Sequence, residues 1–217
     1  MCGRYYIDEE SNQELLKIVR NLDKRLQTSL NPSTNTPYKV KTGEIFPSNI
    51  VPVITKESDS VTYTPQVWGF KNQKSNRLII NARGETAPEK FLFSKPFQDF
   101  RVVVPASGFF EWSHDQNKQK YYFTDPNSSL MYMAGIASID SDLDHFVILT
   151  TASNSSMKGI HHRMPILLKK EEIQDYLLSK DYAHKMLARS PYELEHRLAS
   201  PATSHSETPY EQLTLPL

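Results

Sequence analysis

The single cysteine of this 217-residue chain is Cys2, which directly follows the first methionine. If Met1 is removed, as a small second residue permits, Cys2 gains a free α-amine beside its thiol. The amine has a pKa of about 7.7–8.0 and the thiol one of about 8.5, so both react near neutral pH. Together they could convert an aldehyde into a thiazolidine, or the thiol could attack an amide with the amine as base. Cys2 could also be an incidental residue of a frayed end, but Gly3 and Arg4 favour a site, because glycine admits close approach and arginine suits anions.

The motif IINARGET at residues 79–86 brings two polar side chains to one face of a predicted strand. Asn81 and Arg83 are two residues apart, which is the repeat of a strand face. The Asn81 amide can donate and accept hydrogen bonds, and the Arg83 guanidinium offers a planar fork for a phosphate. A structural asparagine and a solvated arginine would give the same pattern, so this motif alone is not specific.

Glu111 lies in the aromatic run GFFEW at residues 108–112. A carboxyl group among aromatic side chains is expected to have a raised pKa, which suits general acid–base catalysis. Strand alternation offers the opposite interpretation, in which Glu111 faces water between Phe110 and Trp112. Periodicity alone does not decide between the two.

The motif GIHHRMPILL at residues 159–168 places His161, His162 and Arg163 ahead of an apolar run. A histidine here could transfer protons near pH 7, and Arg163 could bind an anion. Adjacent histidines also suggest a metal ion, but no companion cysteine and no HExxH spacing supports one. We therefore predict no metal site and no cofactor.

The composition limits the classes of function. The 25 basic and 25 acidic residues leave no net charge, which argues against bulk attraction to nucleic acid or membrane, although a local basic groove stays possible. One cysteine excludes an intrachain disulfide and a cysteine-based zinc cluster. The sequence shows no apolar run of membrane length and no secretory signal pattern. We expect a cytoplasmic protein.

Short β-prone runs dominate the chain and must position these side chains. They are separated by Gly, Pro, Asn and Asp, and the pattern predicts one β-rich α+β domain. The runs are 51–55, 61–70, 77–82, 101–105, 108–112, 120–124, 130–138 and 145–151. Helices are predicted over 8–22, 171–179 and 191–199, with a short one near 87–94, and a loose tail over the last 18 residues.

Taken together, MCGR, INARGET, GFFEW and IHHRMP resemble, in order and spacing, the motifs of the SRAP (SOS-response-associated peptidase, DUF159) family. The resemblance covers residues 2–185 as the main domain and leaves 186–217 as a C-terminal helix, extension and tail. It implies a pseudo-barrel of bifurcated antiparallel sheet with peripheral helices. It also implies a DNA-repair function in the SOS response: a thiazolidine crosslink between Cys2 and an abasic site in single-stranded DNA.

The resemblance also assigns roles to single residues. Cys2 would be the nucleophile, His161 would open the closed abasic sugar, Glu111 would transfer protons during dehydration, and Asn81 would hold the amine or the sugar. The residues expected to bind DNA are Gly3, Arg4, Trp68, Lys71, Arg83, Thr150 and Arg163. We expect a monomer that contacts no membrane, needs no obligate protein partner and lies on the nucleoid when bound to DNA.

The sequence departs from the family pattern after Trp68-Gly69, where a Pro/Trp-rich loop is replaced by FKNQKSNR. We therefore expect this protein to bind DNA with less base stacking and more charge attraction than family members that have the loop. Two other classes of function stay open. One is an N-terminal-nucleophile glutamine amidohydrolase, and the other is a non-covalent DNA-binding module in which Cys2 is incidental.

Overall fold

The computed structural model describes residues 2–8, 12–30, 35–72, 75, 77–115, 117–140 and 142–199. Most of the β-prone runs form strands, and the helices pack against them. The strands are β1 (Arg4–Ile7), β2 (Gly43–Ile45), β3 (Ile50–Glu57), β4 (Ser60–Trp68), β5 (Phe70–Lys71), β6 (Leu78–Ile79), β7 (Asn81–Arg83), β8 (Arg101–Ala106), β9 (Gly108–Trp112), β10 (Lys120–Thr124), β11 (Met131–Ser138), β12 (His145–Ala152), β13 (Arg163–Pro165), β14 (Leu167–Leu168) and β15 (Glu195–Leu198). The helices are α1 (Gln13–Leu26), α2 (Phe91–Asp99), α3 (Ile173–Leu178) and α4 (Lys180–Ala188), and a 3-10 turn spans Lys170–Glu172.

Five strands close into a ring. β12 pairs with β4, β4 with β3, β3 with β8, β8 with β11, and β11 returns to β12. β8 and most of β11 are buried on both faces, which explains their nearly continuous apolar sequences. The prediction of a β-rich α+β pseudo-barrel is confirmed. The pairings of β12 with β4 and with β7 are parallel, whereas the other strand pairs are antiparallel in the part of the chain that the structure describes.

A second sheet of five strands, in the order β15-β10-β9-β1-β2, packs against this ring. The two share one apolar core, in which Tyr5 and Phe109 of the second sheet meet Trp68 and Phe146 of the ring. The Tyr5 and Trp68 rings lie 5.0 Å apart, centroid to centroid. The chain start and GFFEW are therefore held in the layer that faces the ring.

Arg101 fastens the helices to the ring. Its side chain is buried, and its guanidinium donates to the carbonyl oxygens of Phe97 and Gln98 at the end of α2 and of Tyr176 and Leu177 in α3. These carbonyls belong to helix ends that lack intrahelical donors. One charged side chain thus satisfies the ends of two peripheral helices.

The predicted helices differ from the observed ones at their boundaries. α1 begins after Asn12, whose side chain accepts from the Leu15 N–H at 2.9 Å and caps the helix, so the predicted start at residue 8 is wrong. α2 begins at Phe91, because residues 84–89 form turns instead.

The helix predicted over 191–199 is wrong. This segment contains β15, which pairs with β10 from Tyr121↔Leu198 to Thr124↔Glu195. The pairing covers an edge of the second sheet that would otherwise expose its backbone, and such long-range pairing overrides local helix preference. Residues 200–217, predicted as a tail, lie outside the described residues.

Candidate functional site

Cys2 lies two residues before β1, which is an interior strand of the second sheet. Chain ends usually fray, but here β2 and β9 pair with β1 on either side. Cys2 is fully buried, and its Sγ is 3.6 Å from the Arg4 carbonyl oxygen. Burial, followed by the negative charge of Glu111, raises the pKa of the Cys2 thiol. The thiol is therefore neutral, and Glu111 is close enough to influence it.

Asn81 fixes the backbone of Cys2. It opens β7, which runs parallel to β12. The Asn81 side-chain amide donates to the Cys2 carbonyl oxygen at 2.9 Å. The Asn81 Oδ1 is buried and accepts no hydrogen bond from the residues that the structure describes. It is available to a substrate donor.

Glu111 faces the core, not solvent. Its exposed fraction is 4%, whereas Phe110 and Trp112 are half-buried on the opposite face of β9. Of the two alternatives left by the sequence, the buried one is correct. Burial raises the pKa of the Glu111 carboxyl group, since a charged form is poorly solvated there. The protonated form of this carboxyl group is therefore favoured more than that of an exposed glutamate.

His161 lies beside Glu111, with its Nε2 3.9 Å from the Glu111 Oε1. Its Nδ1 is 3.0 Å from both the backbone N–H and the carbonyl oxygen of Arg163, so the ring is fixed and either tautomer can be accommodated. Burial lowers the pKa of His161 to about 3, which keeps the imidazole neutral at physiological pH.

The Arg163 side chain forms hydrogen bonds with other residues of the protein. Its guanidinium makes two hydrogen bonds to the Glu85 carboxylate, at 2.7 and 2.8 Å, and donates to the Thr150 carbonyl oxygen at 2.6 Å. Thr150 is fully buried on β12, and its hydroxyl lies 3.3 Å from the same guanidinium. Arg163 begins β13 and Thr150 lies on β12, and these two strands pair. The contact between the two side chains therefore stabilises the strand that follows His161.

Arg4 and Arg83 differ in exposure. The Arg4 guanidinium stacks on the Phe46 ring at 4.0 Å, donates to the Gly3 carbonyl oxygen and lies 3.9 Å from Glu44. Gly3 itself is buried. Arg83 lies at the end of β7 and is exposed, so its guanidinium group is accessible to a ligand.

The structure does not support DNA contact by Trp68. Its side chain has no exposed surface, and its indole N–H donates to the Ile80 carbonyl oxygen at 3.0 Å. Its aromatic face is used for core packing and cannot stack on a base. Lys71 is exposed, and its ammonium pairs with Asp140 at 2.8 Å.

Two residues of the site had no role in the sequence interpretation. Glu85 belongs to INARGET, yet only the fold shows that its carboxylate binds Arg163. His114 follows GFFEW, and its ring stacks on that of His161 with centroids 4.4 Å apart. The sequence feature that could have indicated a role for His114 is its position just after the GFFEW strand.

Comparison with known proteins identifies the family. Residues 1–204 match the family model for SOS response associated peptidase (SRAP). The chain belongs to the SRAP family. Its relatives include the Abasic site processing protein YoqW of Bacillus subtilis, 28% identical over 96% of this chain and 95% of that protein. The Abasic site processing protein YedK of Escherichia coli is 23% identical over 82% of this chain and 79% of its own length.

Solved structures share the SRAP fold seen here. A protein from Bordetella bronchiseptica superposes with a TM-score of 0.70 at 18% identity, covering 92% of this chain and 100% of that one. A protein from Bacteroides thetaiotaomicron gives a TM-score of 0.68 at 23% identity, over 92% of this chain and 93% of that one.

Among the described residues, no helix is both long and apolar enough to cross a membrane.

Proposed function

We propose that this chain processes abasic sites in single-stranded DNA and links itself to them through Cys2 after losing Met1. Relatives over nearly the whole chain carry the name abasic site processing protein. The observation that carries the proposal is the cluster at the chain start. There Asn81 holds the Cys2 backbone, and Glu111 lies 3.9 Å from His161 and close enough to the Cys2 thiol to affect its pKa.

The proposed chemistry joins an aldehyde to the aminothiol of Cys2. The α-amine adds to the C1′ aldehyde of the ring-opened sugar, and the carbinolamine loses water to form an imine. The thiol then adds to the imine carbon, its proton passes to nitrogen, and a thiazolidine ring closes with one water released overall. Residue 1 must leave first, because an amide nitrogen is not nucleophilic.

The neighbouring groups supply the proton transfers. The raised pKa of Glu111 allows its carboxyl group to protonate the departing carbinolamine hydroxyl. His161, neutral and 3.9 Å from Glu111, takes the sugar hydroxyl proton during ring opening and returns it later. Asn81 keeps the amine aligned through the Cys2 carbonyl.

Arg83 is the proposed phosphate contact. Its guanidinium is exposed beside the cluster, whereas Arg163 is bonded to Glu85 and maintains the strand behind His161. A phosphate contact gives an affinity that falls with salt. An abasic nucleotide also costs little to extrude, because it has no base to unstack.

The Cys2 thiol argues against amide hydrolysis. An N-terminal-nucleophile amidohydrolase attacks with an activated thiolate, but burial raises the pKa of the Cys2 thiol and favours its neutral form. A neutral thiol can still add to an imine, which is a far better electrophile than an amide. Assaying glutamine hydrolysis tests this alternative directly.

The decisive experiment combines the intact mass with adduct formation. The purified protein should lack Met1, and it should give a denaturant-resistant adduct with single-stranded DNA containing one abasic site. Cys2→Ala should lose this adduct. Cys2→Ser retains the amine without the thiol, so it should be trapped only after borohydride reduction.

The matched control is DNA with a tetrahydrofuran abasic analogue, which has no aldehyde. An adduct with that DNA, or one formed by Cys2→Ala, would refute the proposed chemistry. Retention of Met1 in a protein that still forms the adduct would refute the role of the α-amine. DNA binding that survives Cys2→Ala without any adduct from the natural chain would favour the non-covalent alternative.

A further inference from the structure

The hydroxyl group of Tyr5 is buried and has no hydrogen-bond partner in the part of the chain that the structure describes. The whole side chain is fully buried, on the face of β1 that packs into the shared core. Buried hydroxyl groups are nearly always paired, because leaving water without gaining a partner costs free energy. Tyr176 is also fully buried and follows this rule, since its hydroxyl donates to the Gly135 carbonyl oxygen at 2.9 Å. Packing alone therefore explains the ring of Tyr5 but not its hydroxyl.

The Tyr5 ring is held against the residues that fix Cys2. It packs on Trp68 with the ring centroids 5.0 Å apart, and the Trp68 indole N–H donates to the Ile80 carbonyl oxygen. The next residue, Asn81, donates to the Cys2 carbonyl oxygen at 2.9 Å. Cys2 and Tyr5 also belong to the same apolar cluster. The elements that align the proposed nucleophile therefore hold Tyr5 beside it.

The Tyr5 hydroxyl is a hydrogen-bond donor near the Cys2 thiol. Burial, followed by the negative charge that Cys2 would carry, raises the pKa of Tyr5, so the hydroxyl keeps its proton. The Cys2 thiol lies 3.6 Å from the Arg4 carbonyl oxygen and is not bonded to Tyr5. The sulfur has to leave that carbonyl oxygen to reach an imine carbon, and it then needs a new partner.

We propose that Tyr5 is a positioning residue for closure of the thiazolidine ring, in which its hydroxyl donates a hydrogen bond to the Cys2 sulfur as the thiol proton leaves. In this step the C–S bond forms at the imine carbon, the π electrons of the imine move to nitrogen, and the thiol proton passes to that nitrogen. Burial disfavours the negative charge that develops on sulfur, and a hydrogen bond to a charged acceptor is stronger than one to a neutral acceptor. The donor therefore favours ring closure more than it stabilises the resting thiol. This inference rests on the proposed function and adds to it a residue that the proposed proton transfers do not use.

Tyr5→Phe tests this role, because it keeps the ring and removes only the hydroxyl. The reaction with single-stranded DNA that carries one abasic site is sampled in pairs. One sample is reduced with borohydride, which traps the imine, so it reports imine and thiazolidine together. The other is denatured and heated without reductant, so it reports thiazolidine alone. We expect the total product to form as fast as in the natural chain and the thiazolidine about tenfold more slowly, so that imine accumulates.

Tyr176→Phe is the matched control, because it removes the hydroxyl of a tyrosine that is equally buried but hydrogen-bonded. It should form both products at the natural rates. In urea, Tyr176→Phe should unfold at a lower midpoint than the natural chain, because it loses a buried hydrogen bond. Tyr5→Phe should unfold at the same midpoint as the natural chain or at a higher one, since it loses none.

Equal slowing of both products in Tyr5→Phe, or no slowing of either, would overturn the role of Tyr5 in ring closure. An unfolding midpoint as low as that of Tyr176→Phe would also overturn it, because the hydroxyl would then stabilise the fold. A natural chain that forms neither product would instead refute the proposed function itself.

Discussion

At the scale of single residues, burial decides the protonation state of each reactive group. It keeps the Cys2 thiol and the His161 imidazole neutral and makes the Glu111 carboxyl group a weaker acid. Each shift favours the uncharged form of the group, because a charge is poorly solvated in the buried site. Groups whose uncharged forms are favoured suit imine chemistry, in which protons pass between neighbouring groups.

Asn81→Ala tests the alignment of the nucleophile. The variant loses the 2.9 Å hydrogen bond to the Cys2 carbonyl, so the chain start is held less firmly. We expect adduct formation to slow about tenfold, equivalent to about 1.4 kcal/mol. The rate with abasic single-stranded DNA measures this. Asn127→Ala, on an exposed turn, is the matched control, and an unchanged rate in Asn81→Ala would contradict the proposed role.

Arg83→Ala tests the phosphate contact. Since Arg83 is exposed, its loss should leave the free energy of unfolding unchanged but weaken DNA binding. The slope of log affinity against log salt concentration should become less steep by about 0.7.

Arg163→Lys should instead lower the free energy of unfolding, because lysine cannot replace the two hydrogen bonds from Arg163 to the Glu85 carboxylate. Equal effects of the two variants on unfolding would refute this division of roles.

At the scale of elements, the close approach of β9 and β10 fixes the position of Glu111. Gly108 opens β9, and a Cβ there would lie 2.5 Å from the Tyr122 ring and 2.6 Å from the Phe123 carbonyl oxygen. β9 also pairs with β1, which begins two residues after Cys2. A shift of β9 therefore changes the carboxyl group and the chain start together.

Gly108→Ala should destabilise the protein by about 1–3 kcal/mol, because the added methyl group overlaps backbone that cannot move freely. Urea unfolding measures the loss, and adduct formation should slow in parallel. Gly159→Ala is the matched control, since a Cβ there has no heavy atom within 4 Å. Comparable unfolding midpoints for the two variants would show that β9 has room to adjust.

Sequence reasoning was most successful where a pattern is local. Period-two runs identified most of the strands, and the three- and four-residue spacing of Leu15, Ile18, Val19 and Leu22 identified α1. It failed at β15, where pairing with β10 overrides helix preference, and at Trp68, whose burial depends on the packing of two sheets. The partners of Arg163 and His114 were also hidden, because those contacts join residues far apart in the chain.

At the scale of the whole molecule, the ring, the second sheet and the helices are joined by a few polar links. Beside Arg101, the pair of Glu172 and Arg189 connects the 3-10 turn with the end of α4. Arg189 also donates to the Leu167 carbonyl oxygen in β14 at 3.1 Å. The helical layer is therefore attached to the ring by carboxylate and guanidinium groups as well as by apolar contacts.

This link predicts a dependence of stability on acid pH. Hydrogen bonds from Arg189 lower the pKa of Glu172 to about 2, from an ordinary value of 4.5. The stabilisation is complete above pH 4.5 and is lost as the pH falls toward 2, since the unfolded chain binds the proton first. It amounts to about 1 kcal/mol, because the pair is partly exposed and screened.

Glu172→Gln should remove that component. Its free energy of unfolding should be lower than that of the natural chain near pH 6 and approach it near pH 2. Glu171→Gln is the matched control on the same turn. A constant difference between Glu172→Gln and the natural chain across this pH range would contradict the assignment.

The position of β1 between β9 and β2 has a consequence for the order of folding. β1 pairs with β2, about forty residues further along the chain, and with β9, about a hundred residues further along. Contacts of such long range form late, because a large loop must close first. During synthesis the chain start therefore stays accessible until β9 has left the ribosome. Under the proposed function, an aminopeptidase has that interval in which to remove Met1, and slower removal would leave the proposed nucleophile as an amide inside the finished sheet.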